Sequence, residues 1–213
     1  MKNKLVMITS ILIIIILGLS SISIVSGYKG GKNQTNSLSV EEIEGILFIR
    51  EEEKMARDVY LTFSLIYDEV SIFENIAASE QRHMDAIKNL IDKYNLFDPV
   101  GDNPIGIFEN NDIQELYNIL ISHGEISLIN ALSVGRFIEE YDIEDIRHHI
   151  GITNKVDLIR VYENLLEGSY NHLRSFVSVL EQQCGTYNLE TILSPDDFNE
   201  ILNGEKINRK GRN

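Results

Sequence analysis

Ser79-Glu80-Gln81-Arg82-His83 sits in the middle of an apolar helical stripe, and its reading decides the fold. Steps of three and four from Phe73 through Ile76, Ala77, Glu80, His83, Met84, Ile87 and Ile91 trace one helix face. A carboxylate and an imidazole one turn apart are its only strongly polar members. Burying either without a partner costs several kcal/mol. A metal ion would satisfy both at once. The plainer alternative is that Glu80 and His83 bond to each other or reach a cleft.

Working outward, the helix starts are legible. Ser39-Val40-Glu41-Glu42 and Ser71-Ile72-Phe73-Glu74 are capping boxes. Asn111-Asp112-Ile113-Gln114 and Asn154-Lys155-Val156-Asp157 are looser forms of the same signal. They predict helices over about 40–66, 72–94, 112–122, 127–149 and 155–183. Asp98-Pro99-Val100-Gly101-Asp102-Asn103-Pro104 is the long irregular connection, a crossover between two helical hairpins. Ser122-His123-Gly124 and Gly151-Ile152-Thr153-Asn154 are stops. Ser194-Pro195 starts a last short helix, and Asn203 to Asn213 reads as a polar tail. No alternating strand pattern of useful length occurs. The expected fold class is all-α, a four-helix bundle whose mid-chain crossover carries a short extra helix.

The other long helices repeat the pattern of polar residues on an apolar face. The first has Gly45, Phe48, Ile49, Glu52, Met55, Ala56, Val59 and Phe63, so Glu52 falls inside the stripe. The rest of Arg50-Glu51-Glu52-Glu53-Lys54 reads as a solvated charge run. The third long helix has Leu132, Gly135, Ile138, Glu139, Asp142, Ile146 and Ile150, which places Glu139 and Asp142 inward. Gly135 would leave room for a ligand or a close helix crossing. Asp142 has an alternative role as the cap of a new helix beginning after Tyr141. The fourth has Leu158, Val161, Leu165, Ser169, His172, Phe176 and Val179. His123, His148 and His149 lie near helix ends, where the terminal dipole suffices to explain them. The candidate metal ligands are therefore Glu52, Glu80, His83, Glu139, Asp142 and His172. Four carboxylates neutralise two divalent ions, and hard oxygen donors with one imidazole per ion suit iron or manganese.

The chain has 213 residues, enough for one domain with appendages. A formal charge of −14 excludes the basic stripe that nucleic acid binding requires. The single Cys184 excludes an internal disulfide and any cysteine-rich metal site. Lys2 and Lys4 precede an apolar run from Leu5 to Val25, and Val25-Ser26-Gly27 suits signal cleavage. Residues 1–27 are thus a signal peptide or an uncleaved N-terminal membrane anchor, and either places the body outside the cytoplasm. Residues 28–38 are a flexible linker, 39–184 the bundle and 185–213 a C-terminal extension.

Arg50 to Tyr60, Asn75 to Met84, Arg160 to Leu166 and Asn171 to Phe176 together resemble the DUF2202 family of ferritin-like domains. The resemblance covers roughly residues 40–184 and implies a ferritin-like, di-iron-carboxylate bundle. Such proteins carry Glu on the first helix, Glu-x-x-His on the second, Glu on the third and Glu-x-x-His on the fourth. Glu52, Glu80 with His83, and Glu139 fill the first three requirements. Ser169 stands where the fourth carboxylate is expected, and Asp142 is the candidate replacement. The implied cofactor is two iron ions, or manganese. The implied activity is iron(II) oxidation by dioxygen or peroxide, with Tyr60, Tyr141 and Tyr162 as nearby donors. A metal-capture module without catalysis and a metal-free interaction domain are the rival readings. A homodimer is compatible with the sequence; a ferritin-type cage is not expected.

Overall fold

Ser39 Oγ accepts the Glu42 N–H while the Glu42 carboxylate accepts the Ser39 N–H, and this closed capping box starts α1 (Val40–Ile66). The computed structural model describes residues 37–184 and 191–204. The leader, the linker through residue 36 and the polar tail from 205 lie outside that range. Five more helices follow: α2 (Ile72–Tyr94), α3 (Asn111–Gly124), α4 (Leu128–Ile152), α5 (Val156–Cys184) and α6 (Pro195–Asn203). No strand occurs among the described residues. Two expected caps differ. Ser71 makes no side-chain capping bond, because its own backbone is already helical. Asn110, rather than Asn111, caps α3 by accepting from the Asp112 and Ile113 N–H groups. Ser127 and Ser194 cap α4 and α6.

Contacts at the helix ends define the topology. The Thr153 hydroxyl donates to Glu42, which puts the end of α4 beside the start of α1. The Tyr67 hydroxyl donates to the Gly124 carbonyl, so the end of α1 lies beside the connection that opens α4. Lys93 and Tyr94 both bond Asp157, which joins the end of α2 to the start of α5. Each long helix therefore runs antiparallel to its neighbours, up-down-down-up, and the chain must return along the bundle between α2 and α4. That single long crossover, with α3 in it, is the expected four-helix architecture.

The crossover overturns the expectation of a solvated charge run. All five residues from Arg50 to Lys54 are buried, and Lys54 is 0% exposed. Segment 98–110 lies over the outer face of α1, and this run is what holds it. Arg50 pairs with Asp98 at 3.1 Å. Glu51 accepts the Glu109 and Asn110 N–H groups ahead of α3. Lys54 pairs with Asp58 at 2.5 Å, donates to the Pro104 carbonyl and sits 4.4 Å from the centre of the Phe108 ring. Asp58 in turn accepts the Gly106 N–H. Glu140 on α4 does for α6 what Glu51 does for α3, accepting the Ile192 and Leu193 N–H groups while paired with Arg136.

Two apolar clusters pack the four long helices together, beside a third that seats α6 on α4 and α5 through Ile143, Leu173 and Phe198. One contains Met55, Val59, Tyr60, Phe63, Phe73, Ile138 and Phe176. The other contains Ile46, Ile49, Ile87, Ile91, Ile146 and Leu165. A buried Phe, Ile or Leu contributes about 1.5–3 kcal/mol, so these clusters stabilise the polar layer that separates them. Among the described residues no helix is long and apolar enough to cross a membrane.

Candidate metal centre

Glu53, Glu80, Glu139 and His172 each lie between a residue of one apolar cluster and a residue of the other along their helices, and this layer holds the buried charge. α2 supplies Glu80 and His83 one turn apart, because its apolar stripe runs through both. The Nδ1 atom of His83 lies 2.7 Å from Glu80 Oε2 and 3.1 Å from Glu53 Oε2. The Nδ1 atom of His172, across on α5, lies 2.8 Å from Glu80 Oε1 and 3.3 Å from Glu139 Oε2. The two imidazoles stack with centroids 5.5 Å apart. Glu80 thus turns one oxygen to each ring. In each of the two groups, Glu53–Glu80–His83 and Glu80–Glu139–His172, the ligand atoms lie within 4.8 Å of one another.

His83 Nδ1 and Glu53 Oε2 form a hydrogen bond, but other atoms of the two groups are close without being aligned for each other. His172 Nδ1 makes no hydrogen bond despite its short approach to Glu80, and Glu53 Oε1 and Asp142 Oδ1 have no partner either. Buried acceptors without donors are costly, and convergence on shared points is the arrangement a pair of cations would satisfy. Tyr60, fully buried on α1, holds one side by donating to Glu139 Oε1 at 2.5 Å. Gly168 makes the space on the other: a Cβ there would fall 2.5 Å from His83 Nε2.

The electrostatics express the same crowding. Burial pushes Glu80 upward, but the charges of His172 and His83 pull its carboxyl well below the usual range. Burial raises Glu53 to about 8, with His83 opposing and Glu80 adding to the rise. Burial also raises Glu139, partly offset by His172. Burial alone would lower His172, yet Glu80 and Glu139 hold it at about 10. Asp142 is pushed well up by burial and then by Glu53 and Glu139, which places it at the border of both groups.

Of the six residues expected from the sequence, Glu80, His83, Glu139 and His172 come together. Asp142 adjoins them, with its second oxygen receiving the Ser169 hydroxyl. It lies mid-way along an unbroken α4, which overturns the helix-cap alternative. Glu52 is buried but turns toward Asp145 and Asp142 and belongs to neither group. Glu53 stands in the place expected of Glu52. The room left by Gly135 is taken by the Phe176 ring, so it serves a close crossing rather than a ligand. Tyr141 lies beside Asp145, and Tyr162 packs in the apolar cluster against His149, away from the centre.

The comparisons with known proteins agree with this fold. The crystal structure of the hypothetical protein MJ0754 from Methanococcus jannaschii matches with a TM-score of 0.77 at 43% identity, covering 83% of this chain and 99% of that one. In sequence, the uncharacterized protein MJ0754 of Methanocaldococcus jannaschii is 47% identical over 167 residues, which is 78% of this chain and 88% of the relative. Residues 42–205 match the family described as an uncharacterized protein domain, DUF2202. With the family matched over most of its length, the chain belongs to DUF2202.

Proposed function

We propose that this protein holds two metal ions in a ferritin-like carboxylate centre and oxidises iron(II) with dioxygen or peroxide. Glu80 would be shared by both positions. Glu53 and His83 would hold one, Glu139 and His172 the other, and Asp142 would supply the carboxylate that Ser169 lacks. The observation that carries this reading is Glu80 turning one oxygen to each of two stacked imidazoles, with Glu53 and Glu139 outside them. Four carboxylates and two nitrogens suit iron or manganese better than zinc or copper. When bound, the ions would supply the one-electron chemistry. The chain's own part is to fix their spacing and exclude bulk water, and Tyr60 and the Ser169 hydroxyl orient Glu139 and Asp142. The apolar leader supports an extracytoplasmic location, secreted or anchored to the outer face of the membrane.

Metal analysis after anaerobic loading with iron(II) tests the binding. About two irons per chain, lost or halved in Glu80→Ala and Asp142→Ala, are expected for a site assembled on these ligands. Oxygen or peroxide consumption on adding iron(II) then tests the oxidation. A folded wild type that takes up no metal would sink the proposal. Metal uptake without consumption of either oxidant would leave a capture module.

A further inference from the structure

Each long helix leaves a large apolar side chain in solvent at the same end of the bundle. Val40 opens α1, Phe97 follows the Asn95 cap of α2, Ile152 closes α4 and Val156 opens α5. All four are between 43% and 81% exposed. The Thr153–Glu42 bond joins the ends of α4 and α1, and Lys93 and Tyr94 on Asp157 join those of α2 and α5. Leu38, Leu96, Ile150 and Leu158, next to these residues in sequence, all pack on one apolar cluster, so the four ends lie together. Single exposed apolar residues are ordinary, but a group of them at one end marks a surface that something apolar covers.

Charge at this end is largely matched. Lys93 pairs with Asp157 at 2.6 Å, Glu42 accepts from Ser39 and Thr153, and Lys155 is there to offset Glu41. The opposite end also exposes Leu65, Ile66 and Ile126, but among Asp68, Glu69 and Glu125. No lysine or arginine occurs there in residues 61–71 or 121–130. Moving that acidic end against hydrocarbon would cost the solvation of its charges.

The chain enters the bundle at the matched end, through Leu38 into α1. Ahead of it the apolar run Leu5 to Val25 is joined on by residues 26–37. A chain of that length and composition reaches about 20 Å. Held that close to a bilayer, a patch too small to bind from solution can dock, because the tether supplies the concentration.

We infer that this end of the bundle rests on the bilayer that holds the leader, with Val40, Phe97, Ile152 and Val156 set into the interface of a neutral phospholipid surface. A formal charge of −14 disfavours an anionic one. The inference rests on the anchored form of the extracytoplasmic reading above and is independent of the metal centre.

The full chain in phosphatidylcholine vesicles tests it, with a fluorophore on Asn154→Cys or Glu125→Cys in a Cys184→Ser background. Phosphatidylcholine carrying a nitroxide on its acyl chain is the quencher. Asn154 and Glu125 are both exposed, one at each end. The nitroxide lipid should quench the label at 154 and leave the label at 125 bright. Phe97→Asp combined with Val156→Asp, its fold checked by circular dichroism, should cut the quenching at 154 on the order of tenfold while the chain still floats with the vesicles. Equal quenching at the two positions, or no change in the double variant, would overturn the docking and leave the anchor standing. A label at 154 that neither the lipid nor aqueous iodide quenches would mean that protein covers this end, which overturns the docking too. A chain that does not float with vesicles would overturn the anchored reading, and the docking with it.

Discussion

Ser169 on α5 donates its hydroxyl to Asp142 on α4, one turn before His172. The serine thus turns a carboxylate of the neighbouring helix toward the centre instead of supplying one itself. Ser169→Ala should leave both Asp142 oxygens without a donor, costing about 1–3 kcal/mol of stability before metal is added. It should also weaken metal binding by roughly tenfold. Thermal unfolding and a metal titration measure the two effects, and an unchanged affinity would remove Asp142 from the ligand set.

Gly168 meets His83 where a side chain cannot fit, since a Cβ would fall 2.5 Å from Nε2. Gly168→Ala should therefore turn the His83 ring and loosen the Glu53–His83 side more than the Glu139–His172 side. Metal analysis should show the loss of about one ion, with helicity retained. Loss of both ions would show instead that the two groups do not fill separately.

The outline of the fold is written locally, whereas the choice between Glu52 and Glu53 is not. Capping at Ser39, the helix start at Ser194 and the stripe of α2 follow from spacing alone, because α2 has an exposed side for contrast. α1 has none along its middle. α2, α4 and the crossover enclose it, so that Ile46, Ile49, Glu53, Ala56 and Tyr60 are as buried as Glu52, Met55, Val59 and Phe63. Periodicity separates an inside from an outside, and where there is no outside it cannot say which neighbour a side chain faces. The same enclosure hid the role of Arg50 and Lys54, whose partners Asp98 and Pro104 lie in a segment without periodic pattern.

Lys54 and Asp58 form an ion pair with both side chains at 0% exposure. Removing one partner leaves the other charged and buried, which typically costs 3–5 kcal/mol, so Asp58→Ala should destabilise by about that amount. It also strips the acceptor from Gly106 N–H and should release the crossover. Urea unfolding gives the energy, and hydrogen exchange at residues 100–110 reads the release. Lys54→Met combined with Asp58→Leu should recover much of the stability, and failure to do so would mean the charges themselves hold the segment.

Two histidines give opposite dependence on pH. His149 is lowered to about 4, by burial and then by the nearby His148 charge. Its contribution to stability is present above the unfolded value of about 6.5 and is lost as pH falls toward 4. His149→Leu should flatten the acid limb of a stability–pH curve over that window. An unchanged limb would clear His149 of the effect.

His172, held at about 10 by Glu80 and Glu139 against burial, stabilises the metal-free protein most below pH 6.5 and less as pH rises through 10. A bound metal must displace that proton, so metal affinity should increase with pH over the same range. Calorimetry in buffers of different ionisation enthalpy should detect proton release on binding. Its absence would mean that His172 does not ligate.

Glu80 has one oxygen toward His83 on its own hairpin and the other toward His172 on the opposite hairpin. A pair of ions joined through it would be a rivet between α1–α2 and α4–α5, not just a guest in a cavity. Parting the hairpins and letting the metal go then become one event. The half-life of the loaded protein against proteolysis or heat should follow the rate at which a chelator strips it.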